Sequence, residues 1–158
     1  KREVMVRKDA VAAIVYDTKK DKFIFVSQWR PGSNSDILEI VAGTLDVPGE
    51  DPREAMIREI DEEIGYKTDS IVLIDECYMS PGGTTEIISI YYCEVSEQTH
   101  VGGGLEDEDI DIVVMDLKEV LSTRFKDAKT IIGVNYIKYN QGKFSVRFIP
   151  ATKNNKKQ

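Results

Sequence analysis

Residues Ala42 to Tyr66, AGTLDVPGEDPREAMIREIDEEIGY, constrain the fold more than any other stretch of the chain. A glycine turn leads through a Pro-Gly-Glu-Asp-Pro connector into a short helix crowded with carboxylates. Asp51 is the expected N-cap, Pro52 the first helical residue, and Glu54 falls three after the cap, completing a capping box. Gly65 supplies the stop. Met56, Ile57, Ile60 and Ile64 form one apolar stripe at helical spacing, so this helix must lie on a core. Glu59, Glu62 and Glu63 stand at i, i+3 and i+4 and share the opposite face. Like charges so placed cost roughly a few tenths of a kcal/mol per pair. A divalent cation relieves that repulsion, because hard cations take carboxylate oxygens. A plain solvated acidic face is the competing reading.

The pattern from Glu50 to Gly65 resembles the Nudix box, G-x5-E-x7-R-E-U-x-E-E-x-G-U with U aliphatic. Glu50 is followed by seven residues and then by Arg58-Glu59-Ile60-Asp61-Glu62-Glu63-Ile64-Gly65. Two positions depart from it. Six residues separate Gly43 from Glu50, the extra one falling in the Val47-Pro48-Gly49 turn, where a longer loop costs little. Tyr66 stands where an aliphatic residue is usual.

The 158 residues suffice for one well-cored domain, and 41% hydrophobic with 31% charged content is that of a soluble globular chain. No run nears the roughly 18 apolar residues of a membrane span, and no signal peptide is visible. A net charge of −7 argues against a nucleic-acid partner, and an acidic protein that handles phosphates needs metal ions to admit the anion. Cys77 and Cys93 fit reduced, buried positions of a cytoplasmic protein and show no metal-ligand spacing. His100 has no nucleophile motif around it and reads as an exposed loop residue.

Residues 1–9 are polar and read as an N-terminal remnant, residues 10–149 as a single domain and residues 150–158 as a frayed tail. Ala10–Tyr16 is a nearly unbroken apolar run, expected as a buried strand; Phe23–Gln28 answers it across a Thr18–Asp21 turn. Trp29-Arg30-Pro31-Gly32 is expected to break into a loop, and Ile37–Val41 to form a third strand. Trp29 reads as packing at a strand end, with base stacking the alternative. Ser70–Cys77 and Ile87–Val95 are further strands. Between them Ser80-Pro81-Gly82-Gly83 is a strong turn, either a simple connector or a loop offering backbone N–H groups to phosphate. Gly102-Gly103-Gly104 precedes the acidic run Glu106–Asp109, whose setting between glycines and the strand Ile110–Met115 is that of a loop closing on substrate, with solvation as the bland reading. Asp116 and Asp127 cap two helices, the second reaching Tyr139, and Lys143–Ile149 is a last edge strand. A mixed sheet covered by helices on both faces follows.

Beyond the box, Ser80 to Glu86 resembles the ADP-ribose and nucleoside-diphosphate-sugar pyrophosphatases of the Nudix superfamily. Gly102 to Ile110 and Lys126 to Ile131 resemble the GDP-mannose pyrophosphatase branch. The resemblance implies an α/β Nudix fold, an α/β/α sandwich with a mixed β-sheet. It also implies hydrolysis of a nucleoside diphosphate sugar to a nucleoside monophosphate and a sugar phosphate, with Mg²⁺, or Mn²⁺ in its place. By the same resemblance Glu59 and Glu63 are the main metal ligands, Glu62 assists, the Ala42 carbonyl completes the shell and Glu108 adds a ligand. Arg58 pairs with Glu50 to orient the helix. Glu106 is the general base, Arg30 and Glu86 contact substrate, and Ser80, Gly82 and Gly83 form the substrate loop. Members form homodimers through extra N-terminal strands that this sequence mostly lacks. Two other readings compete. One is a non-catalytic module that senses a nucleotide sugar, against which the retained Glu59, Glu62 and Glu63 argue. The other is a calcium-binding domain built on Glu106–Asp111, which leaves Arg58 and the Ser80 loop unexplained.

Overall fold

Ala10–Asp17 forms β1, and the five residues Val11 to Val15 are wholly buried. Successive strand side chains point to opposite faces, so such a run needs a covering layer on each side. Val11, Ala13 and Val15 pack with Ala55, Met56, Ile60 and Ile64 of α1 (Pro52–Ile64). Ala12, Ile14 and Tyr16 pack with Val120 of α2 (Leu117–Ser122) and with Val134 and Ile137 of α3 (Ala128–Tyr139). Each Val or Ile so buried contributes roughly 1.5–3 kcal/mol. The structure, a computed structural model, describes residues 3–104 and 109–142.

The remaining strands among the described residues are β2 (Lys22–Arg30), β3 (Ser35–Glu39), β4 (Val41–Thr44), β5 (Tyr66–Tyr78), β6 (Ile87–Gln98) and β7 (Asp111–Met115). They form a mixed sheet in the order β3-β2-β1-β6-β5, with β4 also on β1 and β7 on β2. The β1–β6 pair is parallel and the other pairs are antiparallel. The first hairpin turns where the Asp17 carboxylate accepts the Lys19 and Lys20 N–H groups, and Asp21 takes the left-handed conformation at φ 55°. This is an α/β/α sandwich.

Several sequence expectations shift. The strand expected over Ile37–Val41 is two strands. β3 pairs with β2 and β4 with β1, and at the break the Ile40 N–H leaves the ladder to donate to Thr130 Oγ1 at 2.9 Å. β2 runs on through Trp29 and Arg30, which pair with Asp36 and Ser35, so the loop begins only at Pro31. β5 is longer than expected because β6 offers a ladder partner along almost its whole length. On α1 the capping box is incomplete: Asp51 accepts the Arg53 N–H, but Glu54 turns outward to Arg53 Nη1 at 3.0 Å. The reciprocal box forms instead on α2, between Asp116 and Glu119. The edge strand expected at Lys143–Ile149 and the tail 150–158 lie outside the described residues.

Residues 3–9 are tied down on two sides. Met5 N–H donates to Gly83 O at 2.8 Å, Thr85 N–H to Met5 O at 3.2 Å, and Arg7 N–H to Thr85 Oγ1 at 3.0 Å. Asp9 then accepts the Ile87 N–H with its carboxylate and the Leu45 N–H with its carbonyl, both at 2.9 Å. Cys77 and Cys93 are unpaired, and burial pushes the Cys93 thiol up to about 12. Among the described residues no helix is long and apolar enough to cross a membrane.

Candidate active site

Where β4 meets α1, close approach is possible because residue 43 is glycine. A Cβ there would fall 2.0 Å from Glu59 Cδ, so the Glu59 carboxylate lies directly against the strand backbone. One turn on, Glu63 is 5% exposed and its Oε2 accepts the Ala42 N–H at 3.4 Å. In an extended strand the N–H and C=O of one residue point the same way, so the Ala42 carbonyl also faces this helix. The three glutamates therefore do not lie on a solvent face opposite the apolar stripe, as their spacing alone implied. Glu63 sits at the rim of the core, and Ala55 takes a fully buried place in the stripe while Ile57 stays half-buried.

Arg58 organises these carboxylates. It reaches Glu50 with Nε and Nη2, both at 3.2 Å, the pair that the box resemblance implied. Its Nη1 lies 2.8 Å from Glu59 Oε1 and 2.9 Å from Glu62 Oε2. The hydrogen bond to Glu50 and the charges of Glu59 and Glu62 outweigh burial and hold the guanidinium well above its ordinary range. The extra residue of the 47–49 turn is absorbed at Gly49, whose φ of 79° suits glycine. Glu50 therefore still points at Arg58.

Arg58, Glu59, Glu62 and Glu63 form one wall of a cavity of about 580 Å³. The other wall comes from β2, β3 and the start of α3. Glu39, 4% exposed, receives Arg30 Nε at 3.2 and 3.3 Å and Arg30 Nη2 at 2.5 Å. Lys129 Nζ lies 3.2 Å from Glu39 Oε2 and 3.0 Å from Asp127 Oδ1. Burial lowers the affinity of Arg30 for its proton, but the hydrogen bonds and charge of Glu39 more than restore it. Arg7 reaches the cavity from residues 3–9, 3.7 Å from Glu86. Of the lining residues, Arg7, Arg30, Arg58 and Lys129 are cationic. Against these four stand seven carboxylates: Glu39, Asp46, Glu59, Glu62, Glu63, Glu86 and Asp127.

The expected residues separate clearly. Arg30, Ala42, Arg58, Glu59, Glu62, Glu63 and Glu86 all line the cavity. Ser80, Gly82 and Gly83 do not line it. The Gly83 and Thr84 N–H groups both close on the Ser80 carbonyl at 3.0 Å, and the Gly83 carbonyl accepts the Met5 N–H, so this turn spends its polar groups on itself and on residues 3–9. Trp29 is 54% exposed, neither packed nor lining the cavity, because its neighbours Gln28 and Arg30 take that side of β2. His100 is in a loop, as expected, and its ring meets Asp61 at 3.2 Å and the Gly102 N–H at 3.2 Å. Glu106 and Glu108 lie outside the described residues. Glu39, Lys129 and Arg7 escaped the sequence reading. The signal for Glu39 was present, a single carboxylate inside the apolar run Ile37–Val41, which burial would penalise unless it were paired.

The donor set suits a hard divalent cation. Glu59, Glu62, Glu63 and the Ala42 carbonyl offer oxygen ligands, and the space beside Gly43 admits Glu59. Among the described residues no three such side chains converge on a single point. Arg58 provides the reason, since it draws Glu59 and Glu62 toward itself.

Residues 6–132 match the NUDIX domain family. The chain is 34% identical over 149 residues to a GDP-mannose pyrophosphatase of Escherichia coli (strain K12), with 87% of this chain and 77% of that protein covered. It is 33% identical, with the same coverage, to a GDP-mannose pyrophosphatase of Citrobacter koseri. An ADP compounds hydrolase of known crystal structure superposes with a TM-score of 0.71 at 22% identity, over 85% of this chain and 74% of that one, a likeness of fold.

Proposed function

Since the chain belongs to the Nudix family, we propose that it hydrolyses the pyrophosphate bond of a nucleoside diphosphate sugar of the GDP-mannose or ADP-ribose type. Water attacks one phosphorus, the bridging P–O bond breaks, and a nucleoside monophosphate and a sugar phosphate leave. The single observation that carries this reading is the excess of carboxylate on the α1 wall, held in place by Arg58. A diphosphate does not approach three glutamates unless a cation stands between them.

Glu59 and Glu63, with Glu62 and the Ala42 carbonyl, are the residues that would hold Mg²⁺, or Mn²⁺ in its place; Glu108 is a further ligand by family resemblance. Bound there, the metal supplies charge neutralisation for the diphosphate oxygens and makes a water more acidic. Arg58 keeps the carboxylates in register through its bidentate grip on Glu50. Glu106 takes the proton of the attacking water, a contribution of about 10²- to 10⁴-fold. Arg30 and Glu86 contact the substrate from the other side of the cavity. Phosphoryl transfer asks mainly for positioning and charge neutralisation, which these walls supply between them.

We place the reaction in the cytoplasm, in keeping with the unpaired Cys77 and Cys93. The active form is a homodimer, supported by the exposed apolar side chains of Val4, Met5, Val72 and Leu73. Light scattering tests that part. The reaction is tested by phosphatase-coupled phosphate release with Mg²⁺ and a panel of GDP-mannose, ADP-ribose, UDP-glucose and dinucleotides. Turnover of one sugar nucleotide well above the others, abolished by a chelator, is the expected result. Tight binding by calorimetry without turnover would convert the protein into a sensor of the same ligand.

A further inference from the structure

Glu39 ends β3 at the point where the chain leaves one sheet partner for another. Its carboxylate is almost wholly buried and receives two cations that both line the cavity, Arg30 and Lys129. The next residue is held as well: the Ile40 N–H donates to Thr130 Oγ1, which in turn donates to Asp127 Oδ2 at 2.7 Å. Asp127 also accepts the Thr130 N–H as the cap of α3 and pairs with Lys129. Side chain and backbone at 39–40 are thus tied to the first turn of α3 by two separate links.

The cluster holds two cations and two carboxylates. Buried ion pairs are weak contributors to stability, and apolar side chains of similar volume often serve a fold as well or better. Three charged groups gathered around one buried carboxylate are better explained by direction than by stability. Among the described residues Nη1 of Arg30 makes no hydrogen bond, while Nε and Nη2 are spent on Glu39. The guanidinium is a rigid fork with five N–H donors, so fastening one edge of it aims the other edge. Lys129 has four flexible methylene groups and no such rigidity, and two carboxylates together confine its ammonium group.

We infer that Glu39 is a positioning residue of this site. It acts through Arg30 and Lys129 to set how tightly the substrate is held and has no part in the metal-side chemistry. This inference rests on the nucleotide-sugar reading above and adds to it a residue that touches neither substrate nor metal. It separates the two walls by function: substitutions at 39 register in KM, and substitutions at 59 or 63 register in kcat and in the Mg²⁺ requirement.

The test measures steady-state kinetics of Glu39→Gln and Glu39→Asp with the sugar nucleotide the wild type prefers, alone and combined with Arg30→Ala and Lys129→Ala. Glu39→Gln should raise KM by about 10- to 50-fold, with kcat within about threefold and an unchanged Mg²⁺ activation curve. Glu39→Asp, which keeps the charge and shortens its reach, should give an intermediate KM. With both cations already removed, Glu39→Gln should add less than about twofold, because a residue that acts through others is silent without them. A wild-type KM in both Glu39 variants overturns the inference, and so does a full additional effect in the Arg30→Ala/Lys129→Ala background. A fall in kcat with a shifted Mg²⁺ requirement overturns it too. If Glu39→Gln does not fold, Glu39→Asp and the combined background decide by the same criteria. If the wild type turns over no sugar nucleotide, the reaction is wrong and calorimetric Kd values replace KM. A weakened Kd in Glu39→Gln then still supports the positioning role, while an unchanged Kd, or no binding by the wild type, ends it.

Discussion

One wall of the cavity carries Glu59, Glu62 and Glu63 of a single helix, the first two drawn to Arg58 and the third to the Ala42 N–H; the other sets Arg30 and Lys129 against Glu39 and Asp127. The first keeps an excess of negative charge, and the second is balanced within itself. An unbalanced wall calls for a partner from outside, the role that the proposed reaction gives to a divalent cation arriving with an anionic substrate. A balanced wall is already organised, and part of the hydrogen-bonding capacity of its cations is in use within the chain before any ligand arrives. The two walls also differ in origin. The glutamates fall within five residues of one another, whereas positions 30, 39, 127 and 129 meet only after the sheet and α3 are in place.

The largest effect tests the unbalanced wall. Glu63→Gln should lower kcat by about 10²- to 10⁴-fold while the protein still melts cooperatively, because it removes a ligand charge and no apolar area. Wild-type kcat at saturating Mg²⁺ would mean that the excess charge has another purpose. Next is Gly43→Ala, whose new Cβ would sit 2.0 Å from Glu59 Cδ and force that carboxylate off the strand. We expect kcat to fall about 10- to 100-fold and the Mg²⁺ needed for half-activation to rise; a shift in KM alone would move Glu59 to the substrate side. On the balanced wall Arg30→Ala should raise KM about tenfold and leave kcat nearly unchanged. A loss confined to kcat would erase the distinction between the walls.

Smaller effects sharpen the comparison. Millimolar Mg²⁺ without substrate should raise the melting temperature by about 2–4 °C, since a ligand of the folded state stabilises it by mass action. Differential scanning calorimetry should show that increment reduced in Glu63→Gln and intact in Glu39→Gln. Trp29→Ala is expected to change neither kcat nor KM, because this exposed side chain lies on neither wall. A tenfold rise in KM would restore the indole as a stacking surface.

What could be read early followed the range of the interactions. Asp51, Pro52 and Gly65 delimit α1 through contacts within a few residues, and its period sets Glu59 and Glu63 one turn apart, while their burial against β4 depends on Gly43 and Ala42. Glu54 shows the limit of such rules: its spacing fits a capping box, yet the neighbouring Arg53 is the nearer partner. Trp29 and Arg30 were expected in a loop because Pro31 and Gly32 follow them, but the β3 ladder extends β2 over both. The Ser80 turn forms as expected, but Ser80, Gly82 and Gly83, expected as the substrate loop, do not line the cavity. The Gly83 and Thr84 amides go to the Ser80 carbonyl and the Thr85 amide to Met5, more than seventy positions away.

The amino-acid sequence by itself determined the two-sided core, through the unbroken apolar run of β1, and the carboxylate helix, through caps and a 3.6-residue period. These are properties of near neighbours, set by backbone sterics and by the direction of successive side chains. Only the tertiary structure decided that Glu39 would be shared by Arg30 and Lys129, that Ile40 would leave the ladder for Thr130, and that Arg7 would reach the cavity. Each of those depends on which residue is nearest once the chain is folded, because a buried charge or a displaced N–H must take the partner that packing brings within about 3 Å of it.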